Sequence, residues 1–347
     1  MKLIRTVDAE GAVLCHDVTQ IIPGTFKGPA FRKGHVITKE DIPVLLSIGK
    51  ENLYVWEKKE GMLHEDEAAA VLRDLAIGAH MSASEPKEGK IELTADCDGL
   101  FKVDSGALRL VNRTPQMMIA TRHGNTPVRK GDKLAGTRII PLVIEEQKMN
   151  DLSACIREAT GGRPILSLHP FVHKRIGIVT TGSEVYKGRI KDSFTPILER
   201  KLQEYDTEVV GHEVTDDDDR MTTAAIWKMI GLGADVVLCT GGMSVDPDDR
   251  TPLAIRNTGA EIVTYGAPVL PGAMFLLSYL QTEGNRTVTV CGLPGCVMYA
   301  KRTIFDLMLP RILADDRITA DEIALLGEGG LCLGCSTCIW PNCGFGV

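Results

Sequence analysis

Two kinds of hydrophobic pattern divide the chain. Between residues 90 and 146 short apolar runs alternate with turn signals at Asp98-Gly99, Ser105-Gly106, Gly124-Asn125 and Lys130-Gly131-Asp132. Such spacing predicts a β-rich module. Ahead of it, Gly49 to Trp56 ends in a strand-like run. The stretch EDEAAAVLRDLA, which begins inside residues 61–75 and ends at Ala76, has helix-forming composition, with acids in its first turn. Gly161-Gly162-Arg163-Pro164 then punctuates the chain.

Beyond it the pattern becomes an alternation of strands and helices. Arg175–Thr180 and Asp235–Thr240 are nearly continuous apolar runs, as expected of strands covered on both faces. Thr207–Val210 and Thr287–Cys291 are further strands. Helices are predicted over Thr195–Tyr205, Arg220–Ile230, Pro252–Asn257 and Val297–Leu313. Alternation of this kind predicts a largely parallel sheet with helices on both sides. The expected architecture is a three-layer α/β/α domain over residues 174–314, preceded by a smaller β-rich (α+β) domain over 1–150. A linker is expected at 151–173 and a carboxy-terminal segment at 315–347.

The chain has 347 residues, enough for two or three cores. Lys and Arg number 39 against 46 Asp and Glu, a net charge of −7. With no basic stripe and only 5% aromatics, nucleic-acid binding is not expected. The amino-terminal residues carry Asp8 and Glu10 and lack the apolar core of a secretory signal. The most apolar stretch, Ala267–Leu280, is shorter than the roughly 20 residues of a membrane span. A cytoplasmic protein is expected, and Cys15, Cys97, Cys155, Cys239, Cys291 and Cys296 read mostly as small buried hydrophobes.

In parallel sheets ligands bind beyond the carboxyl ends of the strands. The loops there are Thr181-Gly182-Ser183-Glu184, Thr215 followed by Asp216 to Asp219, Gly241 to Pro252, and Gly292-Leu293-Pro294-Gly295. Small residues admit close backbone approach, hydroxyls suit phosphate, and carboxylates suit Mg²⁺. Taken singly, each is ordinary. Thr-Gly-Ser-Glu reads as a strand-to-loop turn, the Asp run as acids at a helix start, and Thr251-Pro252 as a helix cap with a first-turn proline. Four ligand-suited loops in order on one rim are not ordinary.

These motifs resemble those of the molybdopterin-binding domain of molybdenum-cofactor biosynthesis proteins, and most nearly those of the molybdopterin molybdenumtransferases. Thr181-Gly182-Ser183-Glu184 matches the family's T-G-x-E, and Thr215-Asp216-Asp217 its R-D-D. Gly241 to Asp249 matches G-G-x-S-V-G-x-x-D, with Asp246 where glycine is usual. Leu293-Pro294-Gly295 matches half of L-P-G-N-P. Asp249-Arg250-Thr251-Pro252 is similar to the D-x-T-P of the related adenylyltransferases. The resemblance implies that a pterin phosphate lies across these loops. Thr181, Gly182, Ser183, Gly241, Gly242, Ser244, Leu293, Pro294 and Gly295 would contact it. Asp249, Glu184 and Asp217 would be the catalytic carboxylates, and Asp216, Asp217 and Asp249 would direct Mg²⁺ or molybdate. It also implies a homo-oligomer.

The family's K-P-G-K-P is Leu270-Pro271-Gly272-Ala273-Met274 here, so both lysines are gone. That leaves two expectations: Mg²⁺-dependent molybdate insertion into (adenylated) molybdopterin, or a carrier that delivers the cofactor to a molybdoenzyme or another biosynthesis protein. Near the amino terminus, Gly11 to Val18 and Phe31 to Tyr54 resemble patterns of the same enzymes, as a companion domain.

Cys332, Cys335, Cys338 and Cys343 form C-x2-C-x2-C-x4-C. Four thiolates suit a zinc ion or an iron–sulfur cluster. The segment resembles short cysteine tails appended to other pterin and formate-metabolism proteins. His64-Glu65-Asp66-Glu67 reads as a solvated first helical turn rather than a metal site. His169 and His173 flank Pro170, which argues against a shared helix face.

Overall fold

The computed structural model describes residues 2–22, 26–55 and 60–346. Trp56, the end of the run predicted from Gly49, lies outside the described residues. The chain divides into two compact units with interleaved ranges: Met1–Asp96, Val103–Arg122 and Gly131–Ser167 form one, and Cys97–Lys102, His123–Lys130 and Leu168–Val347 the other.

The first unit holds small antiparallel sheets. Lys2–Arg5 pairs with Asn52–Val55, and Val18–Ile22 with Phe26–Phe31, around a core of Leu14, Ile37, Leu45 and Leu53. A four-stranded sheet runs in the order Met81–Ala83, Lys90–Ala95, Lys133–Ile139, Met117–Thr121. Helix Glu65–Ala76 buries Ala68, Ala69, Leu72 and Leu75. Its first turn carries the acids, as read from sequence, but only part of it is solvated: His64 and Glu65 are buried, Asp66 is half-buried and Glu67 is exposed. His64 caps the helix, accepting from the Asp66 amide at 3.2 Å while its own N–H donates to Glu67. Helix Glu146–Thr160 runs through the first part of the stretch read as a linker. Met149, Leu152 and Ile156 supply its buried stripe. The helix stops at Gly161, whose left-handed backbone (φ 63°) suits glycine.

The second unit is built on a six-stranded sheet. Its strands are β1 (Lys174–Thr181), β2 (Thr207–Thr215), β3 (Val236–Thr240), β4 (Glu261–Tyr265), β5 (Leu276–Gln281) and β6 (Thr287–Leu293). The order is β2-β1-β3-β6-β5-β4. The first four neighbours pair in parallel, and β5 and β4 add antiparallel. Helices α1 (Thr195–Leu202), α2 (Asp219–Gly231), α3 (Thr251–Asn257) and α4 (Ile304–Leu313) cover it. The two-residue alternation of strand side chains sorts the layers. Ile176, Ile178, Val236 and Leu238 pack with Leu198 of α1 and Ile304 and Met308 of α4. Val179, Val237 and Cys239 pack with Ile226 and Met229 of α2 and Ile255 of α3. Each fully buried aliphatic chain contributes about 1.5–3 kcal/mol. Gly177 lets α2 approach β1, because a Cβ there would sit 2.5 Å from Met229 Cβ.

The helix predicted from Val297 starts later than that residue and is not the final one, since Ala320–Leu325 is helical too. Residues Gly295–Met298 form a 3₁₀ turn, and α4 begins at Ile304. Thr303 and Asp306 make a capping box that sets this start. Buried Lys201 of α1 meets Asp306 at 2.8 Å, and Arg302 meets both Asp306 (3.0 Å) and Glu204 (3.1 Å). These charges join α1 to α4. Of the scattered cysteines, Cys15, Cys239 and Cys291 are buried, Cys97 and Cys296 half-buried, and Cys155 exposed. Burial pushes the Cys239 thiol up to about 12, so it stays protonated and behaves as a hydrophobe. His169 lies in strand Leu166–Pro170, and His173 meets Asp206 at 3.0 Å.

Candidate functional site

The strand register brings the four loops to one edge. Thr181 lies opposite Thr215, Thr180 opposite Thr240, and Thr240 opposite Leu293. The peptides that follow all leave at the carboxyl end of the parallel strands.

Two of the loops are tied together directly. Thr181 Oγ1 donates to the Thr240 carbonyl at 3.1 Å and lies 3.1 Å from Thr251 Oγ1. Thr251 Oγ1 donates to the Gly241 carbonyl at 2.9 Å. Thr251 is thus not the cap of α3, which Arg250 precedes, but a clasp between the loop and the helix. The glycines are required by space. Gly241 has φ +80°, and a Cβ on it would lie 2.2 Å from the Thr181 carbonyl oxygen. Gly242 has φ +55°, with Thr251 Oγ1 2.7 Å from its Cβ position. Only glycine permits this approach at positive φ.

The aspartate run divides its work. Asp218 caps α2 by accepting from the Met221 amide at 2.8 Å, and Asp219 takes Arg250 (3.3 Å) and Asn257 (3.1 Å). Asp217 turns to the rim and accepts from the Ser183 amide at 2.9 Å. Asp216 accepts from the Asp217 amide and meets Lys187 at 3.3 Å. That amide first, and then Lys187, hold the Asp216 carboxyl below the usual carboxylate range. Asp249 accepts from the Ser244 amide at 2.8 Å and so folds the Gly241–Asp249 loop back on itself. Glu184 is exposed, and its carboxylate makes no hydrogen bond or ion pair among the described residues. Leu293 and Pro294 are buried, and Gly295 is exposed on the rim.

The carboxylates read as catalytic are therefore of two kinds. Asp217 and Asp249 brace loops through backbone amides, whereas Glu184 is exposed; Asp216, read as a metal-directing carboxylate, is engaged by the Asp217 amide and Lys187. Among the described residues no group of three or more His, Cys, Asp or Glu side chains is arranged to hold a metal ion. The tail thiols nonetheless share a place. Cys332, Cys335, Cys338 and Cys343 all line one cavity of about 620 Å³.

Sequence reasoning missed two groups of residues. Tyr265, from β4, donates its hydroxyl to the Met243 carbonyl at 3.0 Å and supports the Gly241 loop from the far side of the sheet. Burial, and then the charge of Asp249, raise its pKa. Next to the rim, His212 Nε2 lies 3.0 Å from Thr180 Oγ1 and 3.2 Å from Thr195 Oγ1. Asp192 accepts from Thr195 and from the Phe194 amide. Burial alone would raise Asp192, but these hydrogen bonds outweigh it and its pKa falls. Both groups depend on strand register, which no local motif announces.

Residues 177–314 match a protein family described as "Probable molybdopterin binding domain". Residues 3–57 match a family described as a domain of unknown function, DUF8806. A molybdopterin molybdenumtransferase of Synechococcus elongatus is 24% identical over 184 residues, covering 50% of this chain and 44% of that protein. A CinA-like protein of Syntrophus aciditrophicus is 36% identical over 83 residues, 24% of this chain and 20% of that protein. The chain thus spans less than half the length of these curated relatives. Among solved structures, the tungsten cofactor synthesizing protein MoaB of Pyrococcus furiosus is similar at 21% identity and a TM-score of 0.35, covering 42% of this chain and 98% of that one. Among the described residues no helix is long and apolar enough to cross a membrane.

Proposed function

We propose that the rim of the molybdopterin-binding domain takes molybdopterin, free or adenylated, and that the protein works in molybdenum-cofactor biosynthesis. The observation that carries this reading is the interlock of Thr181, Gly241 and Thr251. It presses two glycine backbones against β1 and leaves Ser183, Ser244 and Gly295 facing one edge. Contacts to the pterin phosphate are assigned to Thr181, Gly182, Ser183, Gly241, Gly242 and Ser244, with Leu293, Pro294 and Gly295 against the pterin.

The donor set suits Mg²⁺. Glu184, Asp216, Asp217 and Asp249 offer only hard oxygens, and Mg²⁺ is commonly held by one or two carboxylates with water and substrate phosphate completing the shell. Glu184 and Asp216 would hold it. Bound there, the ion would neutralise phosphoryl oxygens. Asp217 and Asp249, which accept from the Ser183 and Ser244 amides, would hold those two loops in shape around the ligand. The reaction proposed is molybdate insertion with release of nucleotide from the adenylated pterin. The tail thiols are read as ligands of a zinc ion or an iron–sulfur cluster. A reduced, cytoplasmic, homo-oligomeric protein fits the ten free cysteines and the relatives' assemblies as the resemblance implies them.

One observation favours a second reading, a carrier that hands the finished cofactor to a molybdoenzyme. Where the family has two lysines this chain has Leu270 and Ala273, and Leu270 is engaged instead in a β-bridge to Leu331. Calorimetric titration with molybdopterin, adenylated and free, in Mg²⁺, followed by molybdate, separates the two. Tight binding with nucleotide release supports insertion, and tight binding without release supports the carrier. Absence of binding for every pterin form would contradict both. Asp249→Asn, which keeps the size of the side chain, should abolish release while changing affinity less than about threefold if Asp249 takes part in the reaction.

A further inference from the structure

The tail turns back on the second unit without any backbone ladder of its own. Residues 332–346 form no helix or strand. Leu331 bridges to Leu270, the Cys332 amide donates to the Leu270 carbonyl at 2.8 Å, and the Leu270 amide donates to Gly330 at 2.8 Å. Lys301 Nζ donates to the Ser336 carbonyl at 2.7 Å. The Arg302 guanidinium lies 4.6 Å from the Trp340 ring centroid. Phe345 enters the core beside α4, and a Cβ on Gly346 would sit 2.4 Å from Leu307.

Held in this way, the tail presents all four of its thiols to one cavity, whose other wall is Pro271 and Tyr299 to Arg302. Cys332 and Cys343 are half-buried, and Cys335 and Cys338 exposed. Gly334, at φ +65°, turns the chain between the first two. A short segment with so little core of its own is the kind that metal ligation orders. The wall it faces belongs to the loops around the rim: Tyr299 to Arg302 follow the 3₁₀ turn Gly295–Met298 that comes after Leu293-Pro294, and Pro271 belongs to the loop that lacks the family's lysines.

We infer that the four thiolates close round one metal centre in this cavity, and that the centre clamps the loops at 270–274 and 295–302. Each thiol gives up a proton on ligation, and Lys301 lies beside the negative charge that results. Ligation draws the exposed Cys335 and Cys338 inward to the half-buried pair. The consequence for pterin binding rests on the reading of the rim proposed above; the clamp itself does not.

The test uses the full chain purified without oxygen. One sample is titrated with zinc sulfate and another reconstituted with iron and sulfide. Metal per chain, acid-labile sulfide and the visible spectrum are recorded. Hydrogen exchange is then followed at the amides of Leu270, Val297 and Ala300 before and after chelation. The expected result is one centre per chain in one of the two arms, lost in the Cys335→Ser/Cys338→Ser double variant and retained in Cys155→Ser. Exchange at the three amides should become at least tenfold faster when the metal is removed. Because both substituted residues are exposed, the double variant should keep its circular dichroism spectrum, and chelation of the unmodified chain gives the same answer without any substitution. Failure of both arms to load, or loading without a change in exchange, would overturn the inference. Loss of the pterin reading would show separately, as absent pterin binding by a metal-loaded chain whose loops are protected.

Discussion

In the unit built on the six-stranded sheet, four neighbouring strands run the same way, and the loops after β1, β2, β3 and β6 leave at one edge. In the other unit the described strand pairs are antiparallel. Successive loops there leave at opposite edges of each small sheet, so their polar residues are spread out. Convergence of Thr181, Asp217, Gly241 and Gly295 therefore follows from strand direction before it follows from residue type. The difference also extends to buried charge. In the sheet unit, Lys201, Asp306, Arg302 and Glu204 satisfy one another. In the antiparallel unit Glu65 is buried next to Asp66, and burial first, then that neighbour, push its pKa up to about 7.

The largest test of this contrast is Asp306→Ala. It leaves Lys201 charged and buried and removes the cap of α4, which should cost about 3–5 kcal/mol. Denaturant unfolding should show the loss in the transition of the sheet unit, with that of the other unit unmoved. A common shift of both would mean that the two do not unfold separately. Next in size is a pair of glycines with similar backbone angles. Gly241→Ala drives a Cβ into Thr181 at φ +80° and should cost about 2–4 kcal/mol. Gly61→Ala, at φ +77° with nothing within 4 Å, should cost only about 1 kcal/mol. Equal losses would show that backbone conformation alone, and not the close approach at the rim, explains Gly241.

The last test concerns Glu65. Its pKa in the folded chain, about 7, lies above the ordinary 4.5, so the unfolded chain ionises first as pH rises. Stability therefore falls between about pH 4.5 and 7, and the deficit is complete above 7. Glu65→Gln removes it and should be more stable than the parent by about 2 kcal/mol at pH 8, with no gain at pH 4. Thermal melts across that range check the sign; a gain that persists at pH 4 would point to packing rather than ionisation.

The parallel sheet was legible because Arg175–Thr180 and Asp235–Thr240 are apolar on both faces, a pattern that depends on nothing outside the segment. Thr207–Val210 was seen but not its extension to Thr215, where polar residues alternate at the sheet edge. Neither antiparallel strand was legible: β5 is continuous with the apolar stretch Ala267–Leu280, and β4 lies just ahead of it. In the first unit, helices Ser105–Arg113 and Glu146–Thr160 were hidden by turn residues and by the expectation of a linker. At the site, each loop was legible as a continuous motif. The clasp by Thr251, the support from Tyr265 and the His212 group were not, since register brings them together from 15 to 70 residues apart. The cysteine spacing announced a shared purpose, but not that the tail would fold back against Pro271 and Lys301.

The central claim is that the rim, and not the antiparallel unit, takes the pterin. Hydrogen exchange of the full chain with and without molybdopterin and Mg²⁺ tests it most directly. The account predicts slower exchange at residues 181–184, 215–219, 241–252 and 293–295, with the first unit unchanged. Protection confined to the first unit, or no protection on saturation with the pterin, would contradict it.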